Sequence, residues 1–74
     1  METCYTNLAN AIILAAAKDH RRALRRLKNY PWDMNAESVR KDCERFFRSG
    51  WFQTLTSLDG EVLIEKLHRE VYGV

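Results

Sequence analysis

Proline occurs once and glycine three times in these 74 residues. A turn-rich β architecture needs more chain-reversal residues than that, and no stretch alternates apolar and polar side chains as a half-buried strand does. Cysteine occurs only at positions 4 and 43. One disulfide is arithmetically possible, but the first turns lack the basic segment and cleavage site of a secretory leader. The expectation is therefore a cytoplasmic, reducing setting with two free thiols, Cys43 buried as a small hydrophobe and Cys4 in a frayed terminus. Long apolar runs are also missing. The longest, Ala11 to Ala17, is far below the roughly 20 residues that cross a bilayer as a helix.

The chemistry of catalysis is scarce as well. There is no glycine-rich phosphate loop, no nucleophile elbow and no paired metal-ligand motif. His20 and His68 stand alone in the sequence. Either could face Cys43, but no third group is placed to orient such a pair. Two cysteines and two histidines match no zinc-finger spacing. His20 reads as a core histidine, and His68 as a cation near a helix C-terminus. The sequence thus predicts a non-enzymatic protein with no catalytic, cofactor or metal site.

What is present is a globular composition, 46% apolar and 30% charged, in a chain long enough for one domain. A domain of this size buries only about 60% of the surface its unfolded chain exposes, which leaves a thin stability margin. The net charge of +2 is unevenly spread. Met1 to Met34 holds six basic and three acidic residues, and Asn35 to Val74 holds six and seven.

Apolar spacing predicts an all-α fold: a compact small bundle of three main helices plus one short helix. The first helix is expected over about 7–29, capped by Thr6 or Asn7 and stopped by Pro31. Leu8, Ile12, Ala16, Ala23 and Leu27 form one apolar line, with Ala9, Ile13, His20 and Leu24 beside it. A second helix over about 36–48 is capped by Asn35. Its stripe is Val39, Cys43, Phe46 and Phe47, with Glu37–Lys41, Arg40–Glu44 and Glu44–Arg48 pairs on a wet side. Ser49 and Gly50 end it, Gly50 as a left-handed C′ residue. A short helix over about 51–56 follows, and Asp59 caps the last over about 60–71, built on Leu63, Ile64, Leu67 and Val71. Phe46, Phe47, Trp51 and Phe52 are the expected core centre, with one of Trp51 and Phe52 reaching the surface.

One feature points outward. Lys18, Arg21, Arg22, Arg25, Arg26 and Lys28 crowd one side of the first helix and hold half of the Lys and Arg in the chain. Three readings apply: a solvated face partly neutralised by Glu61, Glu65 and Glu70 of the last helix, a contact for an acidic protein partner, or a nucleic-acid contact. No groove-reading motif accompanies it, since the helix after Gly50 opens with Trp51 and Phe52. Ala11, Leu14, Ala15 and Ala17 make the early turns apolar nearly all round, so this segment is expected to be covered on more than one side, by its own bundle or by another subunit, with Ala11, Leu14 and Ala15 as the apolar interface to a partner or in a homodimer. Trp32, in the loop beside Pro31, is either a bundle cap or an exposed anchor.

Two stretches carry a resemblance. Tyr5-Thr6-Asn7-Leu8-Ala9-Asn10-Ala11-Ile12-Ile13-Leu14 precedes Lys18-Asp19-His20-Arg21-Arg22-Ala23-Leu24. Downstream, Arg45-Phe46-Phe47-Arg48-Ser49-Gly50-Trp51-Phe52 is followed by Leu55-Thr56-Ser57-Leu58-Asp59-Gly60-Glu61 and Leu63-Ile64. Together they resemble small uncharacterised helical proteins of prophages and mobile elements in Gram-positive bacteria, in which a tyrosine stands at the position of His20. The resemblance implies no activity or site residues. It implies a context in which small accessory proteins bind host proteins stoichiometrically, as inhibitors of defence nucleases do, which is an analogy of setting and not of chemistry.

Overall fold

In a computed structural model, which describes the backbone of residues 4–73 and side chains from Leu8 onward, the chain forms α1 (Cys4–Asn29), α2 (Met34–Phe47), α3 (Gly50–Leu55) and α4 (Gly60–Tyr72). No strand occurs among the described residues. The all-α bundle of three main helices and one short one is the fold. α1 runs about 39 Å at 1.5 Å per residue, which accounts for most of the 44 Å long axis. α2 returns antiparallel to it: Arg26 pairs with Asp33 near the turn, and His20 with Glu44 further down. α4 runs back antiparallel to α2, with Arg48 on Glu61 at one end and Glu44 beside His68 towards the other. α3 closes the base against α1 and α2.

The core follows the apolar spacing. Ile13, Ala17 and Leu24 of α1 meet Cys43 and Phe47 of α2, Phe52 of α3, and Ile64, Leu67 and Val71 of α4. Phe46, Phe47 and Phe52 pack with ring centroids 5.6–5.7 Å apart, and Trp51 caps Phe46 edge-on at 5.4 Å. Edge-on contacts suit rings with negative faces and positive rims. Phe52 is fully buried and Trp51 exposed, so one of the pair does reach the surface.

Several local expectations are corrected. α1 is already helical at Cys4, the first residue whose backbone is described, so Thr6 and Asn7 lie inside it; the side chains of 4–7, that of Cys4 included, lie outside the described residues. Leu8, placed on the apolar line, is 60% exposed, whereas its neighbour Ala9 is buried. Asp33, not Asn35, caps α2 by accepting from the Ala36 amide at 3.0 Å. Val39 is 41% exposed, whereas Glu44, assigned to the wet side, is buried. Gly50 is not a left-handed cap but the first residue of α3. The Ser49 hydroxyl makes that turn: it donates to the Phe46 carbonyl at 2.6 Å and accepts from the Phe52 amide at 3.2 Å. The left-handed glycine is Gly73 (φ 74°), whose N–H closes α4 on the Arg69 carbonyl. Asp59 caps α4 as expected, accepting from the Glu61 amide.

Candidate functional site

α1 has two faces with different work. Its inner face holds His20, Leu24, Ala23 and Ala17 in the bundle. The opposite face carries Ala11, Leu14, Ala15, Lys18, Arg22 and Arg25, all exposed and within about 100° of arc at 100° per residue. Leu14 is 68% exposed.

The six basic residues of α1 divide in half. Arg21 donates to Glu70 of α4 at 2.7 Å. Arg26 donates to Asp33 at 2.6 Å, with its guanidinium 4.6 Å from the Tyr30 ring centre. Lys28 donates to the Val71 carbonyl at 3.0 Å, satisfying the C-terminal end of α4. These three cations tie the bundle together. Lys18, Arg22 and Arg25 form no ion pair with any described residue. The last helix neutralises α1 through Glu70 alone, since Glu61 serves Arg48 and Glu65 serves Arg69. Trp32 is 75% exposed and packs edge-on to Tyr30 at 5.9 Å. It sits at the α1–α2 turn, apart from the Leu14 line. Arg22 also flanks a shallow groove between α1 and α2 floored by Ala23 and Ala36.

A second constellation lies inside. His20 of α1, Glu44 of α2 and His68 of α4 each offer a donor atom, and the three atoms lie within 4.8 Å of one another. His20 is fully buried. Its Nε2 is 3.0 Å from Glu44 Oε2, and His68 Nε2 is 3.6 Å from the same oxygen. Arg40 Nη1 donates to both Glu44 oxygens at 3.1 Å. Arg48 Nη1 stands 3.7 Å from Oε1. His68 is half-exposed and stacks on Tyr72. His20 Nδ1 is buried with no hydrogen-bond partner among the described residues.

The titration behaviour follows from this packing. Burial holds the His20 imidazole below its usual range, against the opposing pull of Glu44. Burial pushes the Glu44 carboxyl up, but the bonds from His20 and Arg40 outweigh it and leave the group below the usual carboxylate range. An ionised carboxylate can only accept, so His20 Nε2 carries the imidazole proton and Nδ1 is the bare nitrogen. Burial, then the carboxylates of Asp19, Asp42 and Glu44, push the Cys43 thiol up. Cys43 is thus a protonated core residue, remote from thiolate chemistry.

Sequence reasoning placed His20 on the inner face and missed its partners. Glu44 was hidden by its good i,i+4 partners, Arg40 and Arg48. The signal lay in helical angle: Glu44 stands about 60° from Phe47, and His68 about 60° from Val71, so both sit at the edge of a buried arc.

Comparison with family models, curated proteins and solved structures returned no match. No helix among the described residues is long and apolar enough to cross a membrane.

Proposed function

We propose that this is a non-enzymatic binding protein that presents the outer face of α1 to a host protein and acts by occupying the surface it covers. The supporting observation is the continuous line Leu14, Lys18, Arg22 and Arg25: a large exposed apolar side chain leads into three cations that no described carboxylate engages. A leucine inside the line favours a protein surface with an apolar patch beside acidic groups, because a phosphate backbone gives leucine nothing to bury against. The resemblance to small mobile-element proteins is in keeping with such a stoichiometric role, and a nucleic-acid-handling or defence protein is the kind of host target it suggests.

The test is affinity capture from a host lysate with and without nuclease, using the wild-type chain, Leu14→Glu and the double variant Arg22→Glu/Arg25→Glu. Both variants change exposed positions, so helicity by circular dichroism stays at the wild-type level. Nuclease-resistant capture of a specific protein, reduced at least tenfold by each variant, supports the reading. Capture that nuclease abolishes transfers the face to nucleic acid, with a steep salt dependence as the check. Light scattering at several concentrations that shows a dimer dissociated by Leu14→Glu would make this face a self-association surface instead.

A further inference from the structure

We propose that His20, Glu44 and His68 form a binding site for a divalent transition-metal cation of the zinc class, which clasps the three long helices together. Each of those helices supplies one ligand: α1 the Nε2 of His20, α2 the Oε2 of Glu44, α4 the Nε2 of His68. Two imidazoles and a carboxylate are a donor set that suits zinc, cobalt or nickel, and leaves a fourth position for water.

The geometry is close to assembled. Ligand atoms around a tetrahedral cation at about 2.0–2.1 Å stand roughly 3.3 Å apart. The two separations to Glu44 Oε2 are 3.0 and 3.6 Å, and all three atoms lie within 4.8 Å. His68 makes up the difference, because it is the half-exposed member and has room to turn. It also gives the cation its way in and puts the open position on the solvent side. The remaining two ligands are held by packing. The His20 ring sits edge-on to Phe47 at 5.7 Å, and Arg40 grips the carboxylate of Glu44. With Oε2 on the cation, Arg40 retains Oε1, the orienting role outer partners play at metal carboxylates.

Charge also allows it. Two guanidiniums, Arg40 and Arg48, face Glu44, but each has a second carboxylate, Glu37 and Glu61 respectively. Three carboxylates against two guanidiniums leave one negative charge in excess at the centre of this network. The proton balance is simple. The imidazole proton leaves Nε2 for Nδ1, which has no partner among the described residues, and the hydrogen bond from Nε2 to Glu44 Oε2 is replaced by bonds from both atoms to the cation. That buried N–H then lacks an acceptor, which lowers affinity by about tenfold to hundredfold against a fully supported site.

The test uses the full chain with ZnCl2 and CoCl2 as probes. Free zinc at about a hundred times its Kd should raise the melting temperature by roughly 10 °C or more. Cobalt should give the visible bands of a tetrahedral nitrogen–oxygen site, with no thiolate-to-cobalt charge transfer. His68→Ala and His68→Gln should keep wild-type helicity without metal, since that ring is half-exposed, and lose at least about a hundredfold in affinity. Glu44→Gln should lose a similar amount. The proposal is overturned if wild-type protein shows neither the thermal shift nor the cobalt bands, if a thiolate band appears, or if both His68 variants bind as wild type does. None of these results bears on the outer face of α1, whose capture experiment stands separately.

Discussion

Gly60→Ala should destabilise this protein although it places a better helix former in a helix. Gly60 opens α4, and a Cβ there would lie 1.9 Å from the carbonyl oxygen of Phe47 and 2.8 Å from its carbonyl carbon. Both atoms are backbone, at the last residue of α2, so no side chain can swing aside. Relief requires the start of α4 to move away from the end of α2 by more than about 1 Å, which loosens the packing of Phe47 against Ile64 and Leu67. Forced overpacking of this kind costs about 1–3 kcal/mol, against a helix-propensity gain of at most about 1 kcal/mol. The net loss is up to about 3 kcal/mol, and each kcal/mol lowers the melting temperature by roughly 4–8 °C in a domain of this size. Gly50→Ala is the matched control. It opens α3, meets nothing within 4 Å and has no positive φ. It should be neutral or stabilising by up to about 1 kcal/mol. Thermal and urea denaturation of the three proteins, followed by circular dichroism, decides the matter. Gly60→Ala as stable as Gly50→Ala would refute the close α2–α4 approach and the core arrangement that rests on it.

Other substitutions probe separate parts of the fold. Phe52→Ala should cost about 3–5 kcal/mol by urea denaturation, since it empties the aromatic centre, whereas Trp51→Ala removes one edge contact with Phe46 and should cost about 0.5–1.5 kcal/mol. Asp33→Asn keeps a capping side chain but removes its charge. The Arg26 guanidinium first, and then the Ala36 amide, hold the Asp33 carboxyl below its ordinary value of 3.8, so its contribution is complete above that pH and is lost as pH falls through the folded value. The advantage of wild type over Asp33→Asn should be measurable at neutral pH and disappear in acid.

The helices were legible because a single period ran through each of them. Leu63, Ile64, Leu67 and Val71 announce α4, and Asp59 before them supplies its cap. Cap choice was less legible at α2. Asp33 and Asn35 are both good caps two residues apart, and what separates them is Arg26, seven residues back across the turn, which pairs with Asp33. The Ser49–Gly50 turn misled for a similar reason. Glycine after a helix suggests a left-handed end, but a serine hydroxyl can close one helix and open the next with ordinary backbone angles on both sides. The His–Glu–His cluster was the least legible. Its members are 24 residues apart in both steps of the chain, and each looks locally explained: His20 as core, Glu44 as a surface ion pair, His68 as a favourable helix end. Only tertiary packing makes them neighbours.

The same packing changes the meaning of the basic helix. A cation already bonded to its own fold is a poor contact residue, because a partner must first compete with an existing carboxylate. Arg21 and Arg26 are held at 2.7 and 2.6 Å, and Lys28 is committed to a helix end. Substituting them should loosen the bundle slightly, by less than about 1 kcal/mol for the exposed Arg21–Glu70 pair. Lys18, Arg22 and Arg25 face no such competition among the described residues. Recognition by α1 should therefore track three cations and Leu14 rather than the six cations that the sequence displays. Charge reversal at Arg22 and Arg25 should abolish capture while the same change at Arg21 should spare it. Equal loss at all three positions would mean that binding senses only the total charge of the helix and that its ordered outer face has no part in recognition.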